Sequence, residues 1–513
     1  MTGTAATATL FQDSNQTGRR AGCHGLVLST RLRASATTET SWTARLVFLL
    51  LGALLLLAPL LRGGNRQVAL SGLLVLGLAA LALMLGQASQ YGAERWGGRT
   101  AQAAQATQPA WWWALVGLLA TSPLWLGVLQ LTPVPASWWL ALPGRAVYGP
   151  ALQAAGVEWP AALPLSLQPQ ATWAALWSGV PMVAAFVAPL WLPRGPLDKL
   201  MAALLLAGAL QVVLAVAQFA SGANSPLYFG LLGQGFVGSF ANRNHLADFL
   251  AMLVPVWFYA WLRLQRQHVG AAAPGGGGRG AASAGPLLLL LGFAFLVVIL
   301  STQSRGGILA TGAVLLLSAL LYGRSLGQRL SRRRRWALVA LFLLFGVLVL
   351  ASIDLRSLLQ RVEHGRLQSD AELRDMLALA TLDAARAFWP WGSGAGTFES
   401  VFPRFQPVLA LDRNYVNQAH NDYVQLLMEL GALALLLAGA LLVLVGYQLR
   451  ALVRALRASR RRLGSDLARR CYAGLGALAL LLHSWVEYNL HIPALAITAA
   501  FLAGVFLRPL SRD

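Results

Sequence analysis

Asp412 to Gly431, DRNYVNQAHNDYVQLLMELG, passes from a polar loop into an apolar helix. The junction carries His420, Asn421, Asp422 and Tyr423, and Glu429 and Gly431 follow one to two turns on. An imidazole, an amide and a carboxylate at the mouth of an apolar helix point to chemistry at a water–lipid boundary. The rest of the chain reads as the scaffold that holds this junction there.

Of the 513 residues, 57% are hydrophobic and 12% charged, with a mean hydropathy of +0.58. A soluble domain carries about 25% charged residues. Apolar spans are predicted at 44–61, 67–85, 110–130, 172–192, 197–220, 241–262, 286–303, 305–322, 336–353, 424–448, 471–486 and 491–508. Each is near the ~20 residues that cross a hydrocarbon core. The expected fold is all-α: a polytopic membrane protein of about twelve transmembrane helices, with a long helical external loop before the tenth span.

A net charge of +21 would suit a nucleic-acid binder. The distribution argues against one, because the basic residues sit in short clusters between apolar runs. An even number of spans puts both termini on one side. With that side cytoplasmic, its tails and loops hold 28 of the 40 Lys and Arg residues, and the other side holds 12, seven of them in 354–423. Long segments translocate largely regardless of charge, so the count supports N-in and C-in. The Arg332–Arg335 run and the stretch Arg450 to Arg470 then anchor the topology. Cys23 and Cys471 have no partner nearby in sequence, so no disulfide framework or zinc site is expected.

The domain plan follows. Residues 1–43 read as a disordered cytoplasmic tail rich in Thr, Ser and Ala. Spans one to nine occupy 44–353, the long external loop 354–423, the last three spans 424–508, and a short tail 509–513. Gly275 to Gly278 read as a flexible linker, since a phosphate loop would need a GK[ST] sequence after it. The first large external segment, 131–171, is nearly uncharged and is expected to lie against the bilayer surface. In the second, Ser369 and Glu372 form a capping-box pattern. Leu373, Met376, Leu377, Ala380, Ala384 and Phe388 then share one face of an amphipathic helix that ends before Pro390. That face is expected to rest on lipid or to cap the membrane domain. Gly392 to Phe398, GSGAGTF, reads as a tight turn that reverses the chain.

Four polar clusters fall on the same external face. The first is Gly238 to His245, GSFANRNH, with Asp248 one turn inside. The second is Ser301 to Gly307, STQSRGG, where Arg305 lies beside two glycines that clear the backbone for a ligand. The third is the His420 junction, to which the amphipathic helix adds Arg374. The fourth gathers His483, Glu487, Tyr488, Asn489 and His491, with His483 and Glu487 spaced i,i+4. Ionisable groups near membrane depth are costly unless paired or hydrated, so four clusters on one face suggest a shared polar cavity. Polar contacts between helices are the plainer account for His245, Asp248, His483 and Glu487.

Guanidinium forks match phosphate oxygens bidentately, so Arg305, Arg374 and Arg243 suit an anionic headgroup such as a polyisoprenyl diphosphate. Such a group leaves readily once its charge is neutralised. The site then needs cations at the leaving oxygens and a base for an incoming hydroxyl. His420 is the candidate base, with Asp422 or another carboxylate to orient its ring. A metal held by His420, Asp422, His245 and His491 is the competing reading. No compact motif of the HExxH kind occurs, and neither a metal nor a cofactor is expected.

The ordered set NRNHLADFL, SRGGILA, an external loop with an arginine on a helix, GSGAGTF, HNDYVQLLMELG and HSWVEYNLHIPA resembles the O-antigen ligase and polymerase superfamily over roughly 225–505. The resemblance implies a bacterial inner-membrane glycosyltransferase of the C-type class. Such an enzyme moves a glycan from undecaprenyl diphosphate to an acceptor hydroxyl on the periplasmic side, without metal or nucleotide sugar. It puts the catalytic histidine on His420 and the diphosphate-binding arginines on Arg305 and Arg374, with Arg243 a secondary contact. Asn421, Asp422, Tyr423, Glu429, Asn244, His245, His483 and Glu487 would support them. Lipid A-core oligosaccharide is the leading acceptor, making the enzyme an inverting ligase. A polymerase, a protein O-oligosaccharyltransferase and a transporter of the lipid-linked glycan are the alternatives.

Overall fold

A computed structural model describes residues 42–91, 108–156, 158–229, 235–240, 242–271, 279–326, 366–408, 415–458 and 463–509, and isolated positions between 333 and 340. The span expected at 336–353, most of the Arg332–Arg335 run, the 275–278 linker and the N-terminal tail to residue 41 lie outside the described residues.

The described chain is almost entirely helical. In order, its helices are α1 Trp42–Leu60, α2 Gln67–Tyr91, α3 Ala110–Ala120, α4 Ser122–Leu131, α5 Ala136–Ala141, α6 Tyr148–Ala154, α7 Pro169–Trp191, α8 Arg194–Ser221 and α9 Arg243–Ala271. They continue with α10 Arg279–Ser301, α11 Arg305–Leu326, α12 Arg366–Ala387, α13 Phe398–Val401, α14 Asp422–Leu430, α15 Ala432–Ala458, α16 Ser465–His483 and α17 Pro493–Leu507. A three-residue antiparallel pair, β1 Pro133–Pro135 with β2 Ala162–Pro164, sets Val134 opposite Leu163. Among the described residues eight helices are long and apolar enough to cross a membrane, or nine if the bent pair α3–α4 is one span. This is an all-α, multi-pass membrane protein.

Two expected spans are broken. The 110–130 run is α3 and α4, bent by 62°. Pro123 opens the second helix, and its ring cannot continue a helix past the Leu119 carbonyl. The 424–448 run is the nine-residue α14 followed by α15. Gly431 separates them with φ 59°, and a Cβ there would lie 2.1 Å from the Pro390 carbonyl oxygen. Only glycine satisfies both the dihedral and the close approach. The Ser369–Glu372 pattern is not a cap, because α12 already runs from Arg366.

The central helix is α9. Within its membrane stretch 83% is buried, against 11% for α15. Lipid does not drive helices together hydrophobically, so close packing of small residues must do so. Gly307 of α11 meets Ala247, and Gly476 of α16 meets the Met252 carbonyl, at 2.6 and 2.7 Å from where a Cβ would stand. Gly208 of α8 and Gly292 of α10 likewise face Leu253 and Trp257. Four helices thus approach α9 through glycines.

The two external segments form one layer. Leu377, Ala380 and Ala384 of α12, with Phe388 just past its end, pack on Phe398, Phe402, Ala419 and Met428. That face covers the loop's own second half and α14. Segment 131–171 is bonded to the second segment. Arg145, 1% exposed, donates to the Leu165 carbonyl and sits over the Trp139 ring. Arg404 donates to the Gly144 carbonyl at 3.0 Å, and Leu167 N–H donates to the Ser393 carbonyl at 2.8 Å.

Gly476→Val tests the packing around α9. Overpacking of this kind costs typically about 1–3 kcal/mol, so a marked fall in melting temperature in detergent is expected. Gly446→Val on α15, where a Cβ meets nothing within 4 Å, is expected to melt like the parent.

Candidate active site

The site is assembled from five stretches that meet at the turn between α16 and α17. α16 ends at His483, so Glu487 is not one helical turn along from it. The chain instead swings Glu487 into a fully buried position under the external layer. Its Oε1 lies 2.8 Å from His420 Nδ1. Its Oε2 accepts from Asn244 Nδ2 at the start of α9 and lies 3.5 Å from Arg374 NH2 of α12. Arg374 NH1 also donates to the Val486 carbonyl at 2.9 Å.

Burial by itself raises the Glu487 pKa, but the His420 hydrogen bond and the nearby charges of His420, His245 and Arg374 outweigh it and hold the carboxyl at about 2. An ionised carboxylate can only accept, so His420 Nδ1 carries the proton that it donates. In the neutral ring the lone pair is then on Nε2. The His420 side chain remains 26% exposed, so that nitrogen is within reach of solvent and solute. His420 also has φ 51°, in the left-handed region, where histidine is several-fold enriched among non-glycine residues.

Of the carboxylates expected to orient His420, the one at its ring is Glu487 and not Asp422. Asp422 heads α14, is fully buried, and lies 2.8 Å from His491 Nδ1 while accepting from Leu490 N–H at 2.8 Å. Ala419 N–H donates to Gln425 Oε1, which turns the Gln425 amide nitrogen toward His491 Nε2 at 3.0 Å. His491 Nε2 therefore accepts, and its Nδ1–H serves Asp422. The two histidine–carboxylate pairs are crossed: each joins the 420–422 junction to the 487–491 turn.

The other supporting residues divide. Asn421 caps α14, its Oδ1 accepting from Tyr423 and Val424 N–H at 3.1 and 3.2 Å. The Tyr423 hydroxyl donates to the Leu481 carbonyl. His245, 3% exposed, meets the edge of Tyr488, whose ring also meets His420, both at 4.9 Å between centroids. His483 pairs with Asp248, at 3.4 Å, and not with Glu487. Glu429 faces away from His420. Its carboxylate accepts from Gly396 N–H at 2.9 Å and from Gln425 at 3.2 Å. The N–H groups of the 392–396 loop are thus taken within the protein: Gly396 by this carboxylate, Ser393 and Gly394 by the Met428 and Glu429 carbonyls, and Ala395 by Gln130 Oε1.

Three arginines border this turn. Arg374 touches it directly. Arg305 is the first residue of α11, exposed, and its neighbour Gly306 packs against His483 and Val486. The two glycines after Arg305 therefore clear space for helix packing and not for a ligand. Arg243 is exposed beside Asn244. Among the described residues neither Arg305 nor Arg243 makes an ion pair, and no group of three or more His, Cys, Asp or Glu side chains is placed to hold a metal ion. Gln130 and Arg145, which hold the external layer together, were not singled out in the sequence. A lone arginine in an otherwise apolar segment was the available signal.

The structure thus combines a multi-pass helical scaffold with a carboxylate-held histidine and, among the described residues, two arginines that make no ion pair. Residues 287–439 match the family described as O-antigen ligase, which supports membership of that superfamily. The match includes Arg305, Arg374 and His420 and stops short of Glu487. No curated protein matches the chain. The family's activity is of the ligase and polymerase type, a transfer of glycan.

The depressed Glu487 pKa has a signed consequence. Its contribution to stability is fully present above the unfolded value near 4.5 and is lost as pH falls toward about 2. The difference in melting temperature between the parent and Glu487→Gln is expected to stay constant from pH 7 to 5 and to shrink below pH 4. A difference that persists unchanged to pH 2 contradicts the pairing.

Proposed function

We propose that the chain is a metal-independent inverting glycosyltransferase. It moves a glycan from undecaprenyl diphosphate to an acceptor hydroxyl at the periplasmic face of the bacterial inner membrane. The observation that carries this reading is the His420–Glu487 pair, which in the neutral ring leaves Nε2 as the acceptor, with Arg374 bound to the same carboxylate.

The acceptor hydroxyl gives its proton to His420 Nε2 as its oxygen attacks the anomeric carbon. The carbon–oxygen bond to the diphosphate breaks on the opposite face, and the electron pair leaves with the lipid diphosphate. Arg305 and Arg374 neutralise the leaving oxygens, with Arg243 at the edge. Glu487 stabilises the imidazolium and keeps its ring in one orientation. His245, Tyr488 and Asn244 support that orientation, and Asp422 with His491 fixes the junction. Lipid A-core oligosaccharide is the acceptor we favour, which makes the protein an O-antigen ligase.

The test uses the full chain in nanodiscs with lipid-linked glycan and lipid A-core. A positioned general base contributes typically 10²–10⁴-fold, so His420→Ala is expected to lower kcat by at least about a hundredfold with little change in KM. Arg305→Ala is expected to raise the donor KM. Inversion is read from the anomeric configuration of the product. Near-parental transfer by His420→Ala, or retention of configuration, sinks the mechanism. Extension of the glycan itself in place of transfer to core would make the protein a polymerase.

A further inference from the structure

The cytosol-facing end in the expected topology lies far from His420. Arg263 is nineteen residues along α9 from Asn244, about 28 Å at 1.5 Å per residue. At that end a cavity of about 580 Å³ opens between α8, α9 and α10. Its volume falls within the roughly 300–1,000 Å³ of small-molecule sites.

The lining is graded along the helices. Asp198, Lys199, Arg263 and Gln267 stand at one end, and Leu205 and Leu291 line the other. Lys199 and Leu205 are six residues apart on α8, so the polar mouth gives way to hydrocarbon over about 9 Å. That is the profile of a lipid seen from the side, with a headgroup above and chains below.

The charge at the mouth selects the headgroup. Asp198 is already engaged by Arg263 at 2.6 Å, by Arg469 at 2.8 Å and by the Tyr259 hydroxyl at 2.7 Å. Next to it Asp466 is shared by Arg194, Arg469 and Arg470. Among the described residues Lys199 is exposed and in no ion pair, and with it five cationic side chains meet two carboxylates. Among the described residues the surplus is positive, and Lys199 has no carboxylate partner.

We propose that this cavity binds one anionic phospholipid, its phosphate at Lys199 and Arg263 and an acyl chain along Leu205 and Leu291. Basic pockets between helices on the cytoplasmic side are suited to such headgroups. The site is separate from the transfer chemistry and would hold whether or not that reading stands. It makes the inner ends of α8, α9 and α10 a lipid-dependent joint.

The full chain, purified in mild detergent and stripped of lipid, is titrated with phosphatidylglycerol, phosphatidylcholine or soluble glycerol 3-phosphate. Native mass spectrometry and thermal melting give the readouts. One phosphatidylglycerol is expected to bind and raise the melting temperature, with no such effect from the other two. Lys199→Glu, an exchange at an exposed position, is expected to weaken binding on the order of tenfold. Ala202→Trp, entering the cavity from an exposed lining position, is expected to abolish it. Equal retention of both lipids overturns the proposal, as does stabilisation by glycerol 3-phosphate alone or indifference of binding to both substitutions.

Discussion

A buried carboxylate needs partners, and Glu487 finds them on elements that are remote in sequence. Removing a carboxylate from water costs several kcal/mol unless its charge is matched and its lone pairs filled. His420, Asn244 and Arg374 do the matching, and the Tyr488 N–H adds a donor at 3.3 Å. One acid therefore holds the start of α9, the external helix α12 and the loop before α14 against the α16–α17 turn. Loss of any donor leaves the charge underpaired in a place that water reaches poorly. The geometry of the histidine is thus tied to the assembly of the membrane domain.

The crossed pairing strengthens that tie. His420 reaches from the junction to the turn, and His491 reaches from the turn back to Asp422 on the junction. Neither segment can slide without breaking both pairs. Behind them, Gln425 and Glu429 carry the polar chain on to the glycine loop, whose own backbone is bonded to Gln130 at the end of α4. The external layer is in this way registered to α14 through hydrogen bonds, while the apolar face of α12 supplies the burial.

What could be read in the sequence follows from what each signal measures. Mean hydropathy finds apolar runs, and the helices that cross stand close to the expected spans. It is blind to a break inside a run, so Pro123 and Gly431 went unread as the ends of α3 and α14. Helical spacing rightly put Leu377, Ala380, Ala384 and Phe388 on one face. The same rule mispaired His483 with Glu487, because nothing local announces that α16 stops at His483. The pairing of His420 with Glu487 spans 67 residues and obeys no periodicity. That an acid would orient the histidine was legible from chemistry. Which acid depended on a turn that only tertiary packing sets.

The arrangement also separates two demands that usually conflict. Catalytic cations must be free to meet a substrate, yet unpaired charge near a membrane is costly. Here the structural acid is satisfied from within by His420, Asn244 and Arg374. Arg305 and Arg243 sit at helix starts, exposed on the polar face, where solvent carries the cost of their charge. The opposite end of the bundle follows the reverse rule, with Asp198 and Asp466 each tying together two or more arginines between helices. Ion pairing closes the bundle at one end, and at the other Arg305 and Arg243 carry no ion pair among the described residues.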